Sequence, residues 1–244
     1  MSIRSMTTNL SSQIQLHTFA DPSALADALA LAVANDLRAA LAERDTASLA
    51  LSGGNTPKAF MRALALQTLD WPGVMVTLVD ERWVPESSER SNAALVKNNL
   101  LHGAAAQAHF VPLYRDAPEP ENAIGEIEDG LAMLPAPFDA LVLGMGNDGH
   151  TASFFPGGDH LAAALDPAAN AMVLPMRAPD AGEPRITLTL PPILAARRLY
   201  LHIEGAGKLQ VLEAAVSGVG AGVGYPIRRV LEHAPAPVQV FYAE

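Results

Sequence analysis

Asp148 and His150 stand one residue apart in the run Gly144-Met145-Gly146-Asn147-Asp148-Gly149-His150, and together they could move protons. An unperturbed imidazole titrates near pH ~6.5, so it can take and return a proton in neutral solution. A carboxylate beside it can fix its tautomer and stabilise its charged form. A histidine is more often structural than reactive, and those at 17, 102, 109, 160, 202 and 233 lack a comparable glycine-rich setting. Metal binding is a rival use of Asp148 and His150, but no third ligand follows at a recognisable spacing, so no metal is assigned. The same run satisfies the Gly-x-Gly-x-x-Gly outline of a dinucleotide loop. That fingerprint opens a sustained helix, whereas Pro156-Gly157-Gly158 soon interrupts here. No cofactor is expected.

A second set of residues could hold an anion. Ser52-Gly53-Gly54-Asn55-Thr56-Pro57 joins an apolar stretch to a helical one. Its glycines allow a sharp turn and close approach of a ligand. The following helix start offers free N–H groups and the positive end of a dipole. An ordinary tight turn with a capping threonine remains the plain alternative. Asp80-Glu81-Arg82 ends another apolar run, and on extended chain Asp80 and Arg82 would point together with Glu81 away. A structural ion pair would explain that tripeptide equally well. Arg185 and Lys208 are candidate phosphate cations, with solvated surface charge as the rival reading.

These residues need a frame. Strands are expected at Ile14 to Phe19, Ser48 to Leu51, Val74 to Val79, His109 to Pro112, Phe138 to Leu143, Arg185 to Leu190, Leu199 to Ile203 and Val238 to Tyr242. Helices are expected at Ala24 to Leu41, from Pro57, at Ser91 to Leu101, Glu119 to Leu134, Gly207 to Val216 and Pro226 to Glu232. Asp21 caps the first, and proline suits a first helical turn. Such alternation argues a single-domain α/β fold: a mostly parallel twisted sheet, Rossmann-like, with helices on both faces. Residues 1–12 read as a loose arm and 13–244 as the domain. Ligands of such sheets bind beyond the carboxyl ends of the strands, where the three polar clusters fall.

The chain of 244 residues is half hydrophobic and carries a net charge of −10. That charge argues against nucleic acid and anionic membranes as partners, and it repels anionic substrates unless cations gather locally. There is no cysteine, which rules out disulfides and thiolate chemistry. No signal peptide or spanning helix is apparent, so the cytoplasm is the expected location.

The motifs LSGGNTP, VDERWVP followed by SNAALVKNNLL, GMGNDGHTASFFPG, PRITLTLPPIL and the Gly205-to-Lys208 step come in one order. In that order they resemble the 6-phosphogluconolactonase family, within the glucosamine-6-phosphate isomerase/deaminase superfamily. The resemblance spans nearly the whole chain from Phe19. It implies hydrolysis of 6-phosphoglucono-δ-lactone, a step of the oxidative pentose phosphate route; separately, a monomer is the expected state, with a weak homo-oligomer as the alternative. His150 matches the family's general base, Asp148 and Asp80 its acidic neighbours, and Arg82 a basic residue near the reacting end. The Gly53-Gly54 turn, Thr56, Arg185 and Lys208 match the phosphate side, where Ser52 and Gly146 are also placed. Related deaminases carry a glutamate shortly after the histidine. This chain reads Ser153-Phe154-Phe155-Pro156 there, which favours the lactonase over a sugar-phosphate isomerase or deaminase. A non-catalytic sugar-phosphate sensor is the rival of another class, and the chain shows no helix-turn-helix segment. Which carboxylate orients His150 stays open.

Overall fold

The computed structural model describes residues 12–179 and 181–244; the loose arm expected over 1–12 lies outside the described residues apart from Ser12. Among the described residues, ten strands and eight α-helices alternate. The first half comprises β1 (Ile14–Phe19), α1 (Pro22–Arg44), β2 (Ala47–Leu51), α2 (Lys58–Ala65), β3 (Val74–Leu78), β4 (Asp80–Arg82), α3 (Asn92–Asn99) and β5 (His109–Phe110). The second comprises α4 (Ile124–Leu131), β6 (Ala140–Leu143), α5 (Leu161–Ala164), β7 (Val173–Met176), β8 (Arg185–Leu188), α6 (Leu190–Leu194), β9 (Leu199–Glu204), α7 (Ala206–Ser217), α8 (Pro226–His233) and β10 (Val238–Ala243).

Seven strands form one sheet in the order β1-β10-β9-β6-β2-β3-β5, and every pairing in it is parallel. All residues of β2 and β6 are buried, so both faces of the sheet's middle are covered. This is why those strands read as unbroken apolar runs. The longest helix, α1, starts where the Asp21 carboxylate accepts the Ala24 N–H at 2.9 Å, with Pro22 in its first turn. Leu25, Leu29, Val33 and Leu37 all face the core and are fully buried.

From β2 the chain steps outward through β3 to β5, then returns to place β6 on the other side of β2. The crevice between the carboxyl ends of β2 and β6 is therefore the topological switch point, where α/β sheets bind ligands. The two ends are tied together: Ser52 N donates to Val142 O at 3.0 Å, and Gly144 N donates to the Ser52 hydroxyl at 3.1 Å.

Three expectations need correction. The strand from Val74 stops at Leu78, and Asp80–Arg82 turns away to pair antiparallel with β8. Arg185 to Leu188 thus belongs to a second, three-stranded antiparallel sheet, β4-β8-β7, rather than the main one. Its third strand, Val173–Met176, was not foreseen; it is short and contains Pro175. The helix expected from Glu119 to Leu134 is a Pro120–Ala123 turn of 3-10 helix followed by the shorter α4.

Candidate active site

A cavity of about 340 Å³ opens at the switch point. Its walls include every residue expected at the site except Asp148, which lies just behind His150. The loop after β6 is folded on itself: Gly146 N donates to His150 O at 2.9 Å, and the Thr151 hydroxyl donates to Gly144 O at 2.8 Å. These bonds turn His150 toward the cavity. Asp148 Oδ1 lies 2.6 Å from His150 Nδ1 and accepts a hydrogen bond from the Nδ1–H, which in the neutral imidazole leaves the lone pair on Nε2. The orienting carboxylate is Asp148. Gly146 is required beside this pair, because a Cβ there would lie 2.2 Å from Nδ1 and 2.5 Å from the Asp148 oxygen.

Asp80 is buried and takes a different role, accepting the Ser153 hydroxyl at 2.5 Å. Alternation along β4 is as expected. Asp80 and Arg82 line the cavity, while Glu81 points away and is wholly buried. Glu81 accepts from the backbone N–H of Arg82, Asn92 and Ala93, each at 2.8 Å, and from the Ser91 hydroxyl at 3.1 Å. Burial pushes its carboxyl above the usual range, against the pull of those donors.

Three cations face the cavity. Arg82 donates to Arg90 O at 2.9 Å and to Asn92 Oδ1 at 2.5 Å. Arg185 sits directly across the antiparallel ladder from it and donates to Ala181 O at 2.8 Å. The Nε of both arginines is buried without a partner. Arg185 is only 7% exposed, so it is no solvated surface charge; burial lowers its pKa, with Arg82 and Arg90 adding to the effect and Asp80 opposing it. Its guanidinium lies over the Phe155 ring, which in turn packs 4.6 Å from the His150 imidazole. The third cation, Lys208, stands in the first turn of α7 and donates to Met145 O. Burial lowers its pKa, while Glu204 and Asp148 pull it up.

The Ser52–Pro57 turn forms the remaining wall. Gly54 needs its positive φ of 97°, a conformation that favours glycine. No side-chain bond caps α2, so the alternative of a capping threonine is not what Thr56 does. The wall also holds residues that sequence reasoning did not single out, among them Asn92 and His202. Asn92 lay inside the helix expected at Ser91 to Leu101 and was given no role of its own. His202 was set aside for want of a glycine-rich setting, yet it lines the cavity from β9; its place at the carboxyl end of a strand was the available signal. Among the described residues, no three His, Cys, Asp or Glu side chains gather as a metal-ligand set, and no helix is long and apolar enough to cross a membrane.

Fold and site together define an α/β protein whose switch-point pocket gathers three cations beside an imidazole held by a carboxylate. Residues 20–239 match the family model described as glucosamine-6-phosphate isomerases/6-phosphogluconolactonase, and the chain belongs to that family. A 6-phosphogluconolactonase of Rhizobium meliloti is 53% identical over 93% of this chain and 98% of its own. One from Pseudomonas aeruginosa is 46% identical over 84% of this chain and 86% of its own. Among solved structures, a 6-phosphogluconolactonase of Shewanella baltica superposes with a TM-score of 0.90 at 38% identity, covering 95% of this chain and 98% of that one. A monomeric glucosamine-6-phosphate deaminase shares the fold at 17% identity and a TM-score of 0.71.

Proposed function

We propose that this protein hydrolyses 6-phospho-D-glucono-1,5-lactone to 6-phospho-D-gluconate in the cytoplasm, within the oxidative pentose phosphate route. The observation that carries this reading is the Asp148–His150 pair facing a pocket that holds three cations. A δ-lactone is an activated ester, so the chemistry asks for neither metal nor organic cofactor. Water attacks the C1 carbonyl carbon as His150 Nε2 takes its proton, and Asp148 stabilises the resulting imidazolium. The negative charge passes to the carbonyl oxygen, where Arg82 or loop N–H groups supply donors. Collapse breaks the bond from C1 to the ring oxygen, which takes the proton back from His150. The phosphoryl group, remote from the bond that breaks, is held by the Gly53-Gly54 turn, Thr56, Lys208 and Arg185, and orients the ring.

Arg82 and Arg185 are ladder neighbours, so charge stabilisation and phosphoryl binding share one wall rather than occupying opposite ends. Phe155 supports hydrolysis over deamination: it presents an aromatic ring beside His150 where a second acid–base group would serve ring opening. The test is a coupled assay in which glucose-6-phosphate dehydrogenase generates the lactone. The protein should accelerate its disappearance well above the spontaneous rate. Release of ammonia from glucosamine 6-phosphate, with no effect on the lactone, would overturn the reading.

A further inference from the structure

We propose that Asn92 is a positioning residue for this reaction, holding Arg82 in the pocket, and that residue 53 is glycine to make room for the Asn92 carboxamide. The chemical half rests on the lactonase reading; the steric half stands without it. Asn92 is the first residue of α3 and is only 2% exposed, yet it forms part of the cavity wall. Each end of its carboxamide has a defined partner. Oδ1 accepts from Arg82 Nη1 at 2.5 Å, and Nδ2 donates to Asp80 O at 2.9 Å. Its backbone N–H is gripped by Glu81, whose carboxylate also holds the N–H groups of Arg82 and Ala93. The start of α3 is thereby clamped to β4, and the carboxamide has little freedom to swing.

Gly53 shows what this arrangement demands of the opposite loop. Unlike Gly54, it has no positive φ that would favour glycine. A Cβ at Gly53 would lie 1.8 Å from Asn92 Oδ1 and 2.2 Å from its Cγ, deep inside contact distance. The turn after β2 and the start of α3 therefore meet through Asn92. Among the described residues the Arg82 side chain has two anchors, this carboxamide and the Arg90 carbonyl. Removing the first leaves a long side chain tethered at one point beside the reacting centre.

The experiment is a pair of double-mutant cycles. In the first, kcat and KM are measured for the wild type, Asn92→Ala, Arg82→Ala and the double variant. Asn92→Ala should lower kcat/KM roughly 10- to 100-fold, mostly in kcat, the range for losing one hydrogen bond to a charged group. The double variant should be no slower than Arg82→Ala alone. Losses that multiply, or a folded Asn92→Ala protein with wild-type kcat, would overturn the positioning role, since a purely structural residue would lower Tm and spare kcat.

The second cycle reads thermal stability. Gly53→Ala should lower Tm sharply when Asn92 is present and little in the Asn92→Ala background. Equal losses in both backgrounds would overturn the steric claim. Should Asn92→Ala melt below the assay temperature, Asn92→Ser takes its place in both cycles. A wild type inert toward the lactone would defeat the functional reading and with it the positioning role. The stability cycle would still decide whether Gly53 exists for Asn92.

Discussion

The two rims of the main sheet treat their charges in opposite ways. At the amino ends of the strands, Asp139 is almost fully buried and pairs with Arg44 and with Arg197 at 3.4 Å, while its second oxygen accepts the Ser48 N–H at 2.9 Å. Nearby, Tyr200 donates to Asp36 at 2.5 Å, and Arg198 lies 3.7 Å from the same carboxylate. Acids and bases there neutralise one another. At the carboxyl ends, Arg82, Arg185 and Lys208 make no ion pair among the described residues and are tethered by carbonyl oxygens and one carboxamide. A carbonyl fixes the position of a cation without cancelling its charge. One rim thus uses charge to hold the fold, and the other keeps charge available in a protein whose net charge of −10 would otherwise repel an anion.

The sharpest way to break this contrast is at the imidazole. His150→Ala should lower kcat on the order of 10²–10⁴-fold, the range for a positioned general base, with product affinity nearly unchanged. A variant that hydrolyses the lactone within a few-fold of the wild-type rate would remove His150 from the mechanism. The matching change at the opposite rim is Asp139→Ala. Breaking a buried pair costs about 3–5 kcal/mol; Arg44 and Arg197 keep 27% and 50% of their side-chain exposure, so the lower end is expected. Urea unfolding should show that loss, while kcat/KM of the folded protein stays at the wild-type value. A fall in kcat/KM would mean that the two rims are coupled.

How much of this was legible without coordinates follows the same division. The parallel sheet announced itself because strands such as Leu49-Ala50-Leu51 and Leu141-Val142-Leu143 are buried on both sides and carry nothing polar. Asp80-Glu81-Arg82 read as extended chain, but nothing in it pointed to a second sheet: three charges enter a ladder only because β8 offers partners about a hundred residues away in the chain (Asp80 pairs Thr187, Arg82 pairs Arg185). Val173–Met176 was hidden by its length and its proline. At the site, His150, Asp148 and the glycine turns were visible by residue type and by their strand-end places. That Asp148 rather than Asp80 orients the imidazole depends on how the Gly144–His150 loop closes on itself, and composition does not encode that. Asn92 was invisible for a related reason, since its significance lies in what passes beneath Gly53.

His202 gives a smaller, pH-dependent test. It sits in the carboxyl rim with Nε2 3.0 Å from Glu204 Oε1 and its ring edge-on to Phe60. Burial, with Lys208 nearby, pushes its imidazole down to about 4. An unfolded chain protonates the same group near pH ~6.5. Between these values the unfolded state binds more protons, so stability declines as pH falls from about 6.5 toward 4. From pH 7 to pH 5 the contribution amounts to about 2 kcal/mol. Glu204, raised by its own burial, titrates in the opposite sense, so the quantity to read is wild type minus His202→Gln across that range. If the two proteins lose stability in parallel, the imidazole is not held neutral by the fold.

Lys208 offers the finest distinction between the rims. Burial favours its neutral form and lowers its pKa below that of a free lysine, although Glu204 and Asp148 work against the shift. As pH rises through that lowered value the ammonium loses its proton, and attraction for a phosphoryl group goes with it. The lactone hydrolyses spontaneously in alkali, so binding of 6-phosphogluconate is the cleaner measurement. Its Kd should rise about tenfold once the pH has passed through that lowered value, near the lower end for one hydrogen bond to a charged group. Lys208→Gln should bind about tenfold more weakly already at pH 7 and show no such rise. Arg197→Gln, which removes a cation paired at the opposite rim, should leave Kd and its pH dependence as they are in the wild type. Equal weakening by both substitutions would mean that the phosphoryl group responds to overall charge, and that Lys208 has no local advantage from its place above the Met145 carbonyl.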